Sequence, residues 1–232
     1  MTCVCCLYII SVYLGKGREN VSAREIPGAF YSSETKNKIL DEATKLFALK
    51  GFGSVSMRDI GNEAGVKMST IYYYYEGKEA LFEDIMVRFE NGYRHYFEWL
   101  REENEKAATL DELMDNMFNK EIFEMVDPII CLSISLAIKE QHNIPSARKR
   151  VFNLFFKYSV HRLKSDFDSL IHKGVIPPND TETISRLFMN SVMVMNDMLI
   201  HAYIGNKPPI NRKKEYLKLK EYLTCALTQG IR

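Results

Sequence analysis

The stretch Met57–Glu76 reads MRDIGNEAGVKMSTIYYYYE and predicts two short helices joined by a tight turn. Ile60 and Ala64 lie one helical turn apart and mark the inner face of the first helix. Gly65 follows at once, where a terminating helix favours a residue that accepts a positive φ. Ile71 opens the inner face of the second helix. This spacing is typical of a helix-turn-helix, although an ordinary helical hairpin can share it.

The segments on either side extend this pattern. Lys36–Gly51 reads KNKILDEATKLFALKG, and Gly77–Met86 reads GKEALFEDIM. Together with the central stretch, they resemble the DNA-binding domain of the tetracycline-repressor (TetR) family of transcription regulators. The residues that carry the resemblance are Ile39, Leu40, Ala43, Leu46, Phe47, Gly51, Ser56, Ile60, Ala64, Gly65, Val66, Thr70, Ile71, Tyr72, Lys78, Leu81 and Phe82.

The resemblance implies an all-α protein in three parts. Residues 1–30 would form a weakly ordered leader, residues 31–77 the helix-turn-helix DNA-binding domain, and residues 78–232 a helical domain for ligand binding and dimerisation. A chain of 232 residues, 46% apolar and 26% charged, is long enough to bury such a core. The sequence shows no strand pattern and no internal repeat, which agrees with this architecture.

The net charge of the chain does not by itself indicate a nucleic-acid partner. The formal net charge is +1, and the segment Thr35–Ala80 has seven Lys or Arg against six Asp or Glu. Any affinity for DNA must therefore come from a local face of the domain and not from bulk charge.

The first residues are unusual in composition. Three of the five cysteines lie in the first six residues, and Cys3–Leu14 is uncharged and apolar. This run is too short to span a bilayer and lacks the preceding positive charge of a secretory signal. Free thiols in a reducing cytoplasm are favoured over disulfides. Two alternatives stay open: the run lies on a membrane surface, or residues 1–20 are not native and translation starts at Val21.

The sequence offers no pattern for catalysis, for a metal or for a cofactor. Its five cysteines and five histidines show no zinc spacing, and it has no Gly-rich phosphate loop or nucleophile elbow. We therefore predict a cytoplasmic protein that is not an enzyme.

The resemblance implies that the second helix of the motif enters the major groove of operator DNA. We place this helix from Lys67 or Met68 to Tyr75. Lysine is a poor N-cap, and the family usually has a small hydroxyl residue at this position. Lys67 therefore departs from the family pattern. The predicted DNA-contacting residues are Thr35, Ser56, Lys67, Met68, Ser69, Thr70, Tyr72, Tyr73 and Lys78.

Four consecutive tyrosines, Tyr72–Tyr75, allow a second interpretation as an aromatic platform for single strands. A helix turns 100° per residue, so four neighbours cannot share one face. We expect Tyr74 to face the helical core and Tyr73 to point to the groove, and the resemblance implies that Tyr75 is also core and that Tyr72 contacts a phosphate.

Beyond this motif the whole chain predicts helices. Capping residues, glycines and prolines set the expected bounds. Within the motif, Ser56 and Asp59 form a Ser-x-x-Asp capping pattern. Further along, Thr109, Ser146 and Asn179 or Asp180 are the expected N-caps, and Gly174 is expected to end the helix over 146–173. The expected elements are helices over 78–101, 110–125, 129–139, 146–173, 183–204 and 211–228, with a polar break over 103–108.

The C-terminal domain is rich in methionine and aromatic residues. The resemblance implies a ligand cavity there, and flexible methionines suit an adaptable apolar pocket, although plain core packing explains most of them. The predicted pocket residues are Met114, Phe118, Phe155, His161 and Met193. The resemblance also implies a homodimer through helices 146–173 and 180–204.

The predicted function is a repressor that binds a palindromic DNA operator and is released by a small, mostly apolar effector. An activator or an architectural DNA-binding protein of the same fold remains an alternative. The sequence identifies neither the effector nor the operator.

Overall fold

The computed structural model describes residues 34–118, 128–203 and 212–229. Those ranges form helices and no strand, which confirms the all-α prediction. The predicted leader, with Cys3–Leu14 and Val21, lies outside the described residues. In chain order the elements are α1 (Glu34–Lys50), a 3₁₀ turn (Phe52–Ser54), α2 (Met57–Ala64), α3 (Met68–Tyr74), α4 (Lys78–Lys106), α5 (Leu110–Phe118), α6 (Pro128–Glu140), α7 (Pro145–Val151), a π-helical segment (Phe152–Tyr158), α8 (Ser159–His172), α9 (Thr181–Tyr203) and α10 (Arg212–Gln229).

Aromatic packing holds the first helices to the start of α4. The ring of Phe52 lies 5.2 Å from that of Phe47 and 5.0 Å from that of Phe82, measured between centroids. Phe47 and Phe82 are fully buried, and α1 also contacts α2 and α3. This cluster places the helix-turn-helix on the N-terminal end of the long helix α4.

Helix α4 continues further than the sequence predicted, and the expected break over 103–108 was wrong for residues 103–106. Arg101 pairs with Glu105 and Lys106 with Glu103 at helical spacing, which supports the last turn. Asn104 is buried and donates to Asp166 of α8. The polar composition that indicated a loop belongs to a solvated helix face with one buried polar contact.

The true break lies at 107–109, and the predicted cap at Thr109 is confirmed. Its hydroxyl accepts from the Glu112 backbone N–H at 3.2 Å, and the Glu112 carboxylate accepts from the Thr109 N–H in return. Two orphan donors at the start of α5 are satisfied by this reciprocal pair.

The prediction of Ser146 as an N-cap was wrong. Helix α7 begins at Pro145 with Ile144 as its N-cap, because proline fits the first helical position without losing a hydrogen bond. The Ser146 hydroxyl donates to Glu83 of α4, and Arg150 pairs with the same carboxylate at 2.8 Å. This serine therefore joins two helices.

The predicted helix over 146–173 contains a π-helical segment that the sequence analysis missed. The Ser159 N–H and hydroxyl both donate to the Leu154 carbonyl five residues back, the hydroxyl at 2.8 Å. The Tyr93 hydroxyl of α4 completes the contact by donating to Ser159 Oγ at 2.9 Å. The available signal was that the next buried apolar residue after Phe155 is Val160, five positions on, where a regular helix repeats after three or four.

The capping predictions around α9 are confirmed. Gly174 ends α8 with φ 70°, and the Val175 N–H donates to the Leu170 carbonyl at 2.9 Å. Asp180 accepts from the Thr183 N–H at 3.0 Å and caps α9.

Helix α6 joins the helix-turn-helix to the rest of the chain. It packs against α1 and α4, and at Gly92 a Cβ would lie only 2.7 Å from Ile130 Cδ1. At its end the buried Glu140 accepts from the Phe52 N–H at 3.0 Å and from the Asn143 side chain at 3.2 Å. A carboxylate of the C-terminal part thus satisfies the backbone of the 3₁₀ turn.

We expect Glu140→Ala to lower the free energy of unfolding by about 1–3 kcal/mol, because the Phe52 N–H would lose its acceptor. Glu140→Gln keeps an acceptor oxygen and is expected to cost less. Urea unfolding of both variants checks this. Equal losses for the two would show that charge, and not the hydrogen bond to Phe52, is what matters.

Candidate nucleic-acid interface

A capping box fixes the start of α2. Ser56 Oγ accepts from the Asp59 N–H at 3.2 Å, and Asp59 accepts from the Ser56 N–H at 2.8 Å and from its hydroxyl at 2.6 Å. The predicted Ser-x-x-Asp cap is therefore confirmed. The hydrogen bond from the Ser56 side chain holds the pKa of Asp59 below its ordinary value, and the hydrogen bond from the Ser56 backbone lowers it further. The Ser56 hydroxyl would have to redirect its proton to reach a phosphate.

The turn between α2 and α3 depends on two glycines. Gly65 has φ 65°, in the left-handed region, and the Val66 N–H donates to the Gly61 carbonyl at 3.0 Å. A Cβ on Gly61 would lie 3.2 Å from Ile71 Cδ1 and 3.3 Å from the Val66 carbonyl oxygen. The absence of a side chain at Gly61 therefore sets how closely α3 crosses α2.

Helix α3 has one buried anchor and a broad exposed face. Ile71 is fully buried. Tyr73 is 81% exposed and Tyr72 54% exposed, and both Ser69 and Lys67 are exposed as well. Large aromatic side chains at such exposure do not contribute to the core and are available to a partner.

The remaining predicted contacts of α3 are less open. Met68 and Thr70 are half-buried, and the Met68 sulfur lies 3.6 Å from the Cβ position of Gly61. Met68 therefore packs partly against α2. Lys67 occupies the N-cap position without a side-chain capping bond, so its side chain has no part in capping the start of the helix.

The four tyrosines divide between core and surface. Tyr74 packs partly against the core, and α3 ends there, one residue earlier than predicted. Tyr75 is buried, and its hydroxyl donates to Asp84 at 2.9 Å. Burial raises the pKa of Tyr75, and the hydrogen bond to Asp84 raises it further. Lys36 pairs with the same Asp84 at 2.8 Å. Since the four rings share no common surface, the geometry does not favour a single-strand platform.

Lys78 is the first residue of α4, as predicted, but its side chain is engaged within the chain. The ammonium group donates to the Phe52 carbonyl at 2.9 Å and to the Val55 carbonyl at 3.0 Å. It also lies 4.4 Å from the centroid of the Phe52 ring. One of its three N–H donors is left for a DNA phosphate, so the lysine has a structural role beside the predicted one.

Helix α1 holds one predicted DNA contact and one basic residue close to the turn. Thr35 is half-exposed in the first turn of α1, where the prediction placed a phosphate contact. Lys38, which the sequence analysis did not single out, is exposed and its Nζ lies 3.8 Å from the Cβ position of Gly65. No spacing within α1 indicates this contact, because it depends on how α1 packs on the turn.

The predicted pocket residues do not share one surface. Met114 and Phe155 are fully buried in the core, whereas His161 is exposed. The side chains of Phe118 and Met193 lie outside the described residues. A cavity of about 190 Å³ does lie between α4 and α8, but none of these five residues lines it.

Comparison with known proteins identifies the helix-turn-helix. The family model described as "Bacterial regulatory proteins, tetR family" matches residues 39–85. The probable HTH-type transcriptional regulator YttP of Bacillus subtilis is 34% identical over 85 residues, covering 37% of this chain and 41% of that protein. The biofilm operon icaADBC HTH-type negative transcriptional regulator IcaR of Staphylococcus epidermidis is 28% identical over 102 residues, covering 44% and 53%. The match thus spans about half the length of these curated relatives.

A solved structure matches far more of the chain. Salmonella enterica GusR superposes with a TM-score of 0.61 at 21% identity, covering 83% of this chain and 95% of that one. At this identity the likeness shows the fold, which extends well beyond the helix-turn-helix. With residues 39–85 matching the family model, the helix-turn-helix of this chain is similar to that of the tetR family of bacterial regulatory proteins.

Proposed function

We propose that the protein is a sequence-specific DNA-binding transcriptional regulator that acts as a repressor. The observation that carries this proposal is the exposed face of α3, led by Tyr73. Side chains at the start of a recognition helix reach base edges in the major groove. The relatives support the class, since YttP is named a transcriptional regulator and IcaR a negative one.

The membrane-surface alternative depends on Cys3–Leu14, which lies outside the described residues. In the ranges that the structure describes, no helix combines the length and apolarity needed to cross a bilayer.

The repressor would act as a homodimer through residues 146–173 and 180–204. Phe152, 51% exposed, and Leu187, 46% exposed, are apolar side chains on these helices that a second subunit could cover. Such a dimer would hold its two α3 helices about 34–36 Å apart, one turn of DNA. A small effector that favours another spacing would lower DNA affinity through α4, by a coupling of about 1–3 kcal/mol.

The test is binding of the purified protein to the DNA upstream of its own gene, against a scrambled fragment, across a salt series. Much tighter binding to the native fragment supports a sequence-specific regulator. Equal and steeply salt-dependent binding to both would indicate phosphate contacts alone and contradict base readout at this site.

We expect Tyr73→Ala to reduce the preference for operator over scrambled DNA by about 1–3 kcal/mol, because the exposed ring faces the groove in the proposed complex. Tyr222→Ala is the matched control, since Tyr222 is 61% exposed on α10, away from α3. Fluorescence anisotropy with both DNA fragments measures the preference. A proportional loss on both fragments would assign Tyr73 to the phosphate backbone.

A further inference from the structure

The cavity between α4 and α8 differs in chemistry from the apolar pocket that the sequence predicted. Of the nine residues that line it, all but Leu170 are polar or charged, and they include Arg101, Asn104, Arg162 and Lys173. Its volume of about 190 Å³ is below the range of drug-sized pockets. Such a cavity suits a small polar ligand.

Arg162 has two buried N–H donors that meet no hydrogen-bond acceptor among the described residues. Its Nε and Nη2 atoms are buried and have no hydrogen-bond partner there. These two atoms form one edge of the guanidinium group, the edge that binds two oxygens of a carboxylate or phosphate side by side. Leaving such donors buried and unpaired costs free energy, which an oxyanion would recover.

Asn104 needs a hydrogen-bond donor from the ligand, whereas Arg162 needs acceptors. Its Nδ2 donates to Asp166 Oδ2 at 2.7 Å, which fixes the orientation of the amide. Its Oδ1 is buried and, among the described residues, has no partner. An acceptor in this position needs a donor from the ligand, and an O–H group supplies one.

The charges around the cavity favour an anion. The lining includes three positively charged side chains, those of Arg101, Arg162 and Lys173, and two carboxylates, those of Glu105 and Asp166. Burial raises the pKa of Asp166 to about 6, against the opposing effects of the Asn104 hydrogen bond and the Arg162 charge. As Asp166 takes up a proton, the positive excess of the cavity grows.

We propose that this cavity binds a small oxyanion that also carries an O–H group, either phosphate or a short hydroxycarboxylate. The Nε–Nη2 edge of Arg162 holds two oxygens of the anion, and the Asn104 carbonyl accepts the ligand O–H. Lys173 adds positive charge at the rim of the cavity.

The first experiment is isothermal titration calorimetry of the full chain with phosphate, sulfate, glycolate and acetate. Phosphate or glycolate is expected to bind at least about tenfold more tightly than its hydroxyl-free counterpart, sulfate or acetate, because only the former satisfies Asn104. Preference for phosphate or for glycolate identifies the class of anion. Binding of neither overturns the proposal, as does equal binding of the hydroxyl-free ions. The titration contains no DNA, so its outcome is independent of the proposed regulator function.

The second experiment tests Arg162 itself. Arg162→Gln and Arg162→Lys are expected to weaken binding about 10- to 100-fold, since both lose the paired donors of the guanidinium edge. Arg148→Gln is the control, because Arg148 is an exposed arginine of α7 that already donates to the Gln141 and His142 carbonyls. Without ligand, Arg162→Gln should melt no lower than the wild type. A lower melting temperature with unchanged affinity would mean that Arg162 is structural.

The pH dependence gives a third readout. The charge of glycolate does not change between about pH 5.5 and 8, so any change in its affinity reports the protein. The charged groups facing Asp166 are Arg101 and Glu105 of α4 and Arg162 of α8. Affinity is expected to fall as pH rises through about 6, because Asp166 then regains its negative charge. Affinity that rises with pH would contradict this arrangement.

Discussion

The Gly61→Val variant is expected to lose sequence-specific DNA binding and about 3 kcal/mol of folding stability. A Cβ at this position would already lie 3.2 Å from Ile71 Cδ1 and 3.3 Å from the Val66 carbonyl oxygen. The isoleucine can rotate, but a backbone oxygen cannot move without moving the turn. The two further methyl groups of valine would therefore push α3 away from α2.

The measurements are urea unfolding and anisotropy with operator DNA. Gly53→Ala is the matched control, since a Cβ on Gly53 meets no atom within 4 Å and its φ is not positive. The control should bind and unfold like the wild type. Wild-type operator binding by Gly61→Val would show that the contact at Gly61 does not set the position of the recognition helix.

The second large effect is expected for Phe155→Ala, at about 3–5 kcal/mol of lost unfolding free energy. Phe155 is fully buried, with its ring 4.8 Å from that of Tyr93 and 6.5 Å from that of Phe89, measured between centroids. Truncation would leave a cavity where α4 meets the π-helical segment. The aromatic contacts at this point would be lost with the ring.

Tyr222→Ala provides the comparison, because Tyr222 is an aromatic residue that is 61% exposed on α10, outside the helices of the proposed dimer. Its loss should be much smaller in urea unfolding. The comparison also separates two roles for Phe155, which the sequence placed in a ligand pocket. A residue lining an open pocket would cost far less on truncation than one packed in the core, so a small loss would favour the pocket.

The elements that the sequence predicted well depend on local chemistry. Gly65 ends α2 because a left-handed residue is needed within that same turn, and Ser56 and Asp59 cap it within three residues. Thr109 and Asp180 are caps of the same kind. In each case the residues that decide the structure are neighbours in sequence.

The elements that it missed depend on distant partners. The helical turn at Glu103–Lys106 is held partly by Asn104 donating to Asp166, 62 residues away. The engagement of Lys78 with the Phe52 and Val55 carbonyls spans 26 and 23 residues. No residue spacing along the chain predicts such contacts, because they form only once the helices have packed.

The same division holds for the candidate interface. Helical geometry predicted that Tyr74 faces the core while Tyr73 does not, because neighbours in a helix point 100° apart, whereas the burial of Tyr75 was predicted from the family resemblance. The position of Lys38 beside the turn and the polar cavity behind Arg162 required the packed structure.

The π-helical segment makes this part of the chain tolerant of a change in length. It holds one residue more than the buried face needs, because Phe155 and Val160 are five residues apart on that face. Removing the exposed Lys157 would leave them four apart and restore a regular helix with Leu163 and Phe167 still facing inward. The same deletion within α8 would turn every later residue by 100° and bring Leu170 out of the core. A single-residue deletion in this helix can therefore be accommodated at the π turn without repacking the rest of the domain.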